Sequence, residues 1–323
     1  MKRLTICATI VTMLTLSWGS PAFPWASLTH VFVGQELAKQ SGPLNLDEIY
    51  GITAPDVFNY MFTPPFSEYR EYLYEQTHFE FMKVWDGVRH GYEKPIAYGF
   101  VAHNNEWGAD RTAHLSSLTL LPDEGYVITK AKALHEILMQ VPEYAALELP
   151  EDVSIEVSHN IVEAAGDVII NRVIPGLGEK LVKSTLRPNE IFQKLLAEAY
   201  APGLAAFSTE TSLTLNEEGA AQVILLSEAG FRSYMATYGW LFQQDEQTIV
   251  QGIISDFESF AVAYLASLGI EGLPSGPYLQ MLIGFGLEQA IGLCEHDYME
   301  EVQATIGYVD RGMKAHKINR KTR

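Results

Sequence analysis

Pro150-Glu151-Asp152-Val153-Ser154-Ile155-Glu156-Val157-Ser158-His159-Asn160-Ile161-Val162-Glu163-Ala164-Ala165-Gly166-Asp167-Val168-Ile169-Ile170-Asn171-Arg172-Val173-Ile174 decides the fold. A proline and two acidic residues open it, which is how helices start. Ile155, Val157, Ile161, Val162, Ala164 and Ala165 keep it apolar around a few polar positions. Ile174-Pro175-Gly176-Leu177-Gly178 then breaks the pattern. The stretch is a long, largely buried helix, and within it His159 and Glu163 stand one helical turn apart.

Working outward, the same period recurs. Helical patterns cover 28–39, 67–88, 96–121, 126–140, 189–200, 217–238, 247–268 and 277–307. No alternating strand pair is joined by a tight Asn-Gly or Asp-Gly turn; Asp86-Gly87 ends a helical pattern instead. There is no internal repeat and no low-complexity tract. The expected fold class is therefore all-α.

The 323 residues are 47% hydrophobic and 19% charged, enough for a packed core. Met1-Lys2-Arg3, an apolar run from Leu4 to Leu16 and the small residues Ser20-Pro21-Ala22 form a signal-peptide pattern. The run is short of the ~20 residues that span a bilayer. The expected division is a signal peptide at 1–22, a metal-binding helical domain at 23–178 and a helical C-terminal region at 179–323. An exported protein, periplasmic or secreted and without a transmembrane anchor after cleavage, follows. Net charge is −18, and −20 once Lys2 and Arg3 leave. Such a chain is a poor partner for nucleic acid backbones. An anionic substrate would need a local cation site. Cys294 remains alone and reads as an inert core thiol.

Seven of the nine histidines precede the break at Ile174. On a continuous helix, His103, Glu106, Asp110 and His114 share one face, a metal-ligand stripe on an otherwise apolar segment. A solvated polar face is the alternative. His159 and Glu163 have the reach to share one cation, or form a surface ion pair. His30, Asp56 and His78 are single residues, each more often structural than functional; Asp56 equally suits a helix cap.

Taken in order, these segments resemble the bacterial zinc-dependent phospholipase C family, which shares its all-helical fold with the zinc-dependent single-strand nucleases. The resemblance rests on Trp25 with Thr29-His30, Pro55-Asp56, Thr77-His78-Phe79, Gly99-Phe100-Val101-Ala102-His103, Asp110, His114 and His159-x-x-x-Glu163, across residues 25 to about 167. It implies a phospholipase C-like bundle with a helical C-terminal extension, holding up to three zinc ions. Asp56, His78 and His103 would hold one ion, and His114, His159 and Glu163 a second. Asp110 would bridge toward a third, bound by His30 and Trp25. Asp56 would double as general base.

Two departures matter. The family spaces the middle motif His-x3-Asp-x5-His, whereas here it is His103-x6-Asp110-x3-His114, with Trp107 at the usual aspartate position and Glu106 competing as a ligand. The third zinc needs Trp25 at the mature N-terminus, yet cleavage after Ala22 leaves Phe23-Pro24 ahead of it. Two zinc ions are expected, and three if Trp25 comes first. The expected function is metal-assisted hydrolysis of a phospholipid or other phosphodiester. The rivals are a nuclease of the same fold, a helical binding protein with structural zinc, and a His296-Asp297 dyad hydrolase. Arg111 is a candidate phosphate contact or a surface arginine. Phe62, Phe66, Tyr69, Tyr72 and Tyr74 line a mouth or fill the core.

Overall fold

The computed structural model describes residues 27–39, 46–59, 61–62, 65–187, 190–270 and 275–318. Among them there is no strand, so the chain is all-α. The expected leader 1–22 and Trp25 lie outside the described residues. In order, the first half supplies α1 (Ser27–Lys39), α2 (Leu46–Thr53), α3 (Arg70–His78), α4 (Met82–Asp86), α5 (Lys94–His103), α6 (Ala109–His114), α7 (Tyr126–Leu138), α8 (Pro142–Ala145) and α9 (Glu151–Val173). Beyond the break come α10 (Leu177–Thr185), α11 (Glu190–Phe207), α12 (Glu217–Leu241), α13 (Glu246–Ser267), α14 (Pro277–Cys294) and α15 (Tyr298–Ala315). Local chemistry sets several ends. Asn216 accepts from Gly219 N at 2.8 Å and Asp245 from Thr248 N at 2.9 Å, capping α12 and α13. Gly176, at φ +92°, makes the turn between α9 and α10.

Three expected helices are each two. The pattern at 67–88 divides at Phe79 into α3 and α4, and 277–307 divides at 295–297 into α14 and α15. The third division, within 96–121, reshapes the site. There α5 stops at His103, because the Asn104 carbonyl oxygen of the side chain accepts from Glu106 N (2.8 Å), Trp107 N (2.8 Å) and Gly108 N (3.2 Å). An asparagine satisfying the next backbone donors replaces the helix with a tight turn.

One apolar cluster runs from Leu28 to Ile318, so helices on both sides of the Ile174 break share a core. At its centre α2 crosses α5 with almost no separation. A Cβ on Gly51 would lie 2.2 Å from the Ile96 carbonyl oxygen, and one on Gly99 would lie 2.2 Å from that of Glu48. Helix α14 packs on α9 and α7, while α15 reaches back to α1 and α6. Helix α13 is long and apolar enough to cross a membrane by length and composition. Its Ile249, Ile253, Phe257 and Phe260 are buried in the shared core.

A buried carboxylate ties the ends of the fold together. Asp167 of α9 accepts from Leu28 N at 2.9 Å and Thr29 N at 3.0 Å, capping α1 from a distance. It also accepts from Tyr238 Oη of α12 at 3.0 Å. Thr29 Oγ1 in turn hydrogen-bonds Tyr298 Oη of α15 at 2.6 Å. The next residue along α1 is His30.

Candidate metal centre

Each candidate imidazole is aimed by the backbone or by a carboxylate. Nδ1 of His103 faces the Ile52 carbonyl oxygen at 2.8 Å, and Nδ1 of His78 faces that of Tyr74 at 3.0 Å. A carbonyl only accepts, so Nδ1 carries the proton and Nε2 presents a lone pair. The two Nε2 atoms stand 3.2 Å apart, with Asp56 Oδ1 3.3 Å from His78 and 3.4 Å from His103. Two lone pairs and a carboxylate oxygen converging in a dry pocket are a cation's ligand set.

A second group forms where α6 meets α9. His114 Nε2 and His159 Nε2 are 3.1 Å apart, and Glu163 Oε1 lies 3.1 Å from the first and 2.9 Å from the second. Asp110 Oδ2 holds His114 Nδ1 at 3.1 Å, and Glu156 Oε2 holds His159 Nδ1 at 3.4 Å. Carboxylates behind metal-facing imidazoles fix the ring and its tautomer. Glu156 was not foreseen as part of the site; its place three residues before His159 on one helix face was the available signal.

His30, His103 and Asp110 form a third grouping, with Asp110 Oδ1 3.9 Å from His30 Nε2 and 3.6 Å from His103 Nε2. The His30 ring stacks on His103 at 4.3 Å. Asp110 thus touches all three groups. Every expected ligand among His30, Asp56, His78, His103, Asp110, His114, His159 and Glu163 is brought together. Glu106 is not: the Asn104 turn throws it to the surface, exposed. The continuous helical face of 103, 106, 110 and 114 is therefore corrected to a helix end, a turn and a short second helix. Trp25 lies outside the described residues. His296 is exposed, and Asp297 is engaged by Tyr126 and Lys130, so that pair builds no site.

The donor set fits a metal. Both His30 nitrogens, Asp110 Oδ1 and Glu163 Oε2 are buried without a hydrogen-bond partner among the described residues. Each such group costs about 1–3 kcal/mol if left so, and an ion held by His30, His103 and Asp110 would answer one His30 nitrogen and the Asp110 oxygen together. Histidine nitrogen with carboxylate oxygen suits zinc and its neighbours among the transition metals.

Without metal, the centre holds protons. Burial opposes charge on His103, but Asp56 and Asp110 outweigh it and push the imidazole up to about 9. Burial is likewise outweighed at His114, where Asp110 pushes it up to about 9. Burial would raise Asp56 and Asp110, yet the facing imidazoles hold both below the usual carboxylate range. His30 goes the other way, pulled down to about 3 by burial and by His103. Metal takes neutral imidazole, so loading near pH 7 displaces the protons on His103, His114 and His159, the last held, against burial, well above its usual range by Glu163 and Glu156. Calorimetric zinc titration in buffers of different ionisation enthalpy is expected to show about three protons released per chain. Apparent affinity should climb as pH rises toward about 9, where His103 and His114 lose their protons. Affinity independent of pH below 9 would contradict this ligand set.

The centre opens on one side. Side chains of His114 and His159 are 13% and 14% exposed, against 0% for His78 and His103. Both line a cavity of about 250 Å³ whose walls include Asn59, Phe62, Arg70 and Tyr264. Of the aromatic run, Phe62 and Tyr74 line this cavity, Phe66 and Tyr69 are core, and Tyr72 stacks on Phe207 at 4.4 Å. Arg111 is not part of the lining. No protein-family model, curated protein or solved structure matches the chain.

Proposed function

We propose that this chain is an exported zinc-dependent phosphoester hydrolase on a phospholipase C-like helical bundle, acting on a phospholipid or another phosphodiester. The observation that carries the reading is two histidine–carboxylate groups joined through His103 and Asp110, with the outer one open to a cavity. A structural site closes its coordination, whereas a catalytic one keeps a place free. In this reading Asp56, His78 and His103 hold one ion and His114, His159 and Glu163 the other. Zinc there would supply Lewis acidity toward a phosphoryl oxygen and activate water near neutral pH.

The chain's own groups do the rest. Asp56 is the proposed proton acceptor. Asn59 Nδ2 donates to its Oδ1 at 3.1 Å, which leaves the other oxygen for the proton. Asp110 and Glu156 keep His114 and His159 turned toward the centre. Phe62, Phe260 and Tyr264 wall the cavity and exclude bulk water from one side. The net charge of −18 and this aromatic wall favour a phospholipid over a nucleic acid.

Metal analysis with intact mass tests the reading. About two zinc per mature chain are expected, and about three if Trp25 proves to be its first residue. The zinc-loaded protein should hydrolyse short-chain phosphatidylcholine faster than single-stranded DNA. The reverse order would favour the nuclease. Absence of stoichiometric metal from the folded protein would overturn the hydrolase.

A further inference from the structure

Arg70 stands apart from the other arginines that make contacts in this fold. Arg232 bonds Glu228, Arg187 bonds Asp47, and Arg172 bonds Glu246. The Arg70 guanidinium has no hydrogen bond or ion pair among the described residues. It sits instead over the Phe62 ring, 5.0 Å from the centroid. Phe62 is itself braced by Phe260 at 5.8 Å and Tyr264 at 6.2 Å, and those two stack on each other at 5.5 Å. Three rings from two distant segments therefore fix where this charge lies.

The place is the wall of the cavity that His114 and His159 also line. A guanidinium resting on an aromatic face keeps its charge, is weakly hydrated, and leaves its N–H edges free for a planar anion. In a chain with 40 acidic and 22 basic residues, this arginine faces the cavity without an ion pair among the described residues. Glu71 and Glu156 share the lining; Glu156 is engaged with His159 and Asn160, and Glu71 is exposed beside Arg70 in the sequence. Asn59 adds a buried carbonyl oxygen without a partner among the described residues, while its amide nitrogen donates to Asp56. The cavity thus brings together a guanidinium, the outer histidine pair, the carboxylates of Glu71 and Glu156, and the unpartnered Asn59 carbonyl oxygen.

We propose that Arg70 grips a non-bridging oxygen of the substrate's phosphate, making this cavity a two-sided oxyanion site. The inference rests on reading the centre as a phosphoester site. Arg70 acts as a substrate-binding residue whose fork shares the single negative charge of a phosphodiester with the outer metal group. Asn59 Oδ1 accepts from a water or hydroxyl beside that phosphate.

The test compares zinc-loaded wild type with Arg70→Met, Arg70→Lys and, as a charge-matched control, Arg89→Met on the exposed surface. Two probes are used: inorganic phosphate in a binding titration, and bis(p-nitrophenyl) phosphate in steady-state kinetics. Arg70→Met is expected to weaken phosphate and raise KM by about tenfold or more, the scale of one charge-assisted contact. Zinc content and melting temperature should hold, because methionine can still cover Phe62. Arg70→Lys should recover part of the loss, since a point charge replaces a fork. Arg89→Met should match wild type. Unchanged phosphate affinity and KM in Arg70→Met, with wild type active, would overturn the assignment and leave the hydrolase standing. Arginine-dependent phosphate binding without hydrolysis of any diester would keep Arg70 as the anion site and remove the hydrolase. A wild type that neither binds phosphate nor hydrolyses the diester removes both.

Discussion

Replacing His103 with alanine is expected to cut zinc from about two ions per chain to about one and hydrolysis by about 10³-fold or more, equivalent to about 4 kcal/mol of barrier. His103 belongs to two of the three groupings, beside Asp56 and His78 on one side and His30 and Asp110 on the other. Its removal also leaves Asp56 facing His78 alone. Breaking a buried charge pair typically costs about 3–5 kcal/mol, so the urea midpoint should fall as well. His159→Ala serves as the comparison, since it strips the outer group and leaves the inner residues in place. Atomic emission on both purified variants reads the result. A full zinc complement in His103→Ala would remove this histidine from the centre.

The second large effect lies away from the ligands. A glycine-to-alanine change inside a helix ordinarily gains about 1 kcal/mol of helix propensity. At Gly99 the sign should reverse. The added Cβ would lie 2.2 Å from Glu48 O, 2.8 Å from Ile52 N and 3.0 Å from Glu48 C, all backbone atoms that no rotamer change can move. Helices α2 and α5 must part, which repacks the core at a cost of about 3 kcal/mol. Parting them also pulls His103 from the Ile52 carbonyl that turns its Nε2 inward. Gly99→Ala is therefore expected to lower the unfolding midpoint and lose zinc together. An alanine variant as stable as wild type, or more so, would show that the crossing is not tight.

Much of this was legible in the sequence. Apolar period placed the helices, and histidine and carboxylate spacing picked out residues of α5, α6 and α9; His30, Asp56 and His78, from α1, the turn after α2 and α3, entered only through the family resemblance. The failures share a cause. Periodicity carries no information about a side chain that satisfies the backbone, so Asn104 hid a turn and promoted Glu106. Spacing along a helix said nothing of what stands behind a ligand, so Glu156 went unread although it lies one turn from His159. Long-range placement decided the cations. Arg111 adjoins a ligand in sequence but not the cavity, whereas Arg70 reaches the cavity from the first residue of α3, two turns before its ligand His78.

The carboxylate that caps α1 also links the seat of His30 to α15. Thr29 and Tyr298, which meet beside Asp167, are 269 positions apart. Contacts so distant in sequence form late, because the loop between them must close before they contribute. Asp167 of α9 meanwhile holds Leu28 N and Thr29 N across 139 and 138 positions, so the turn of α1 that carries His30 is held from both halves of the chain. A change in α15 that removes the Tyr298 hydroxyl is therefore transmitted to α1 at Thr29, one residue before His30.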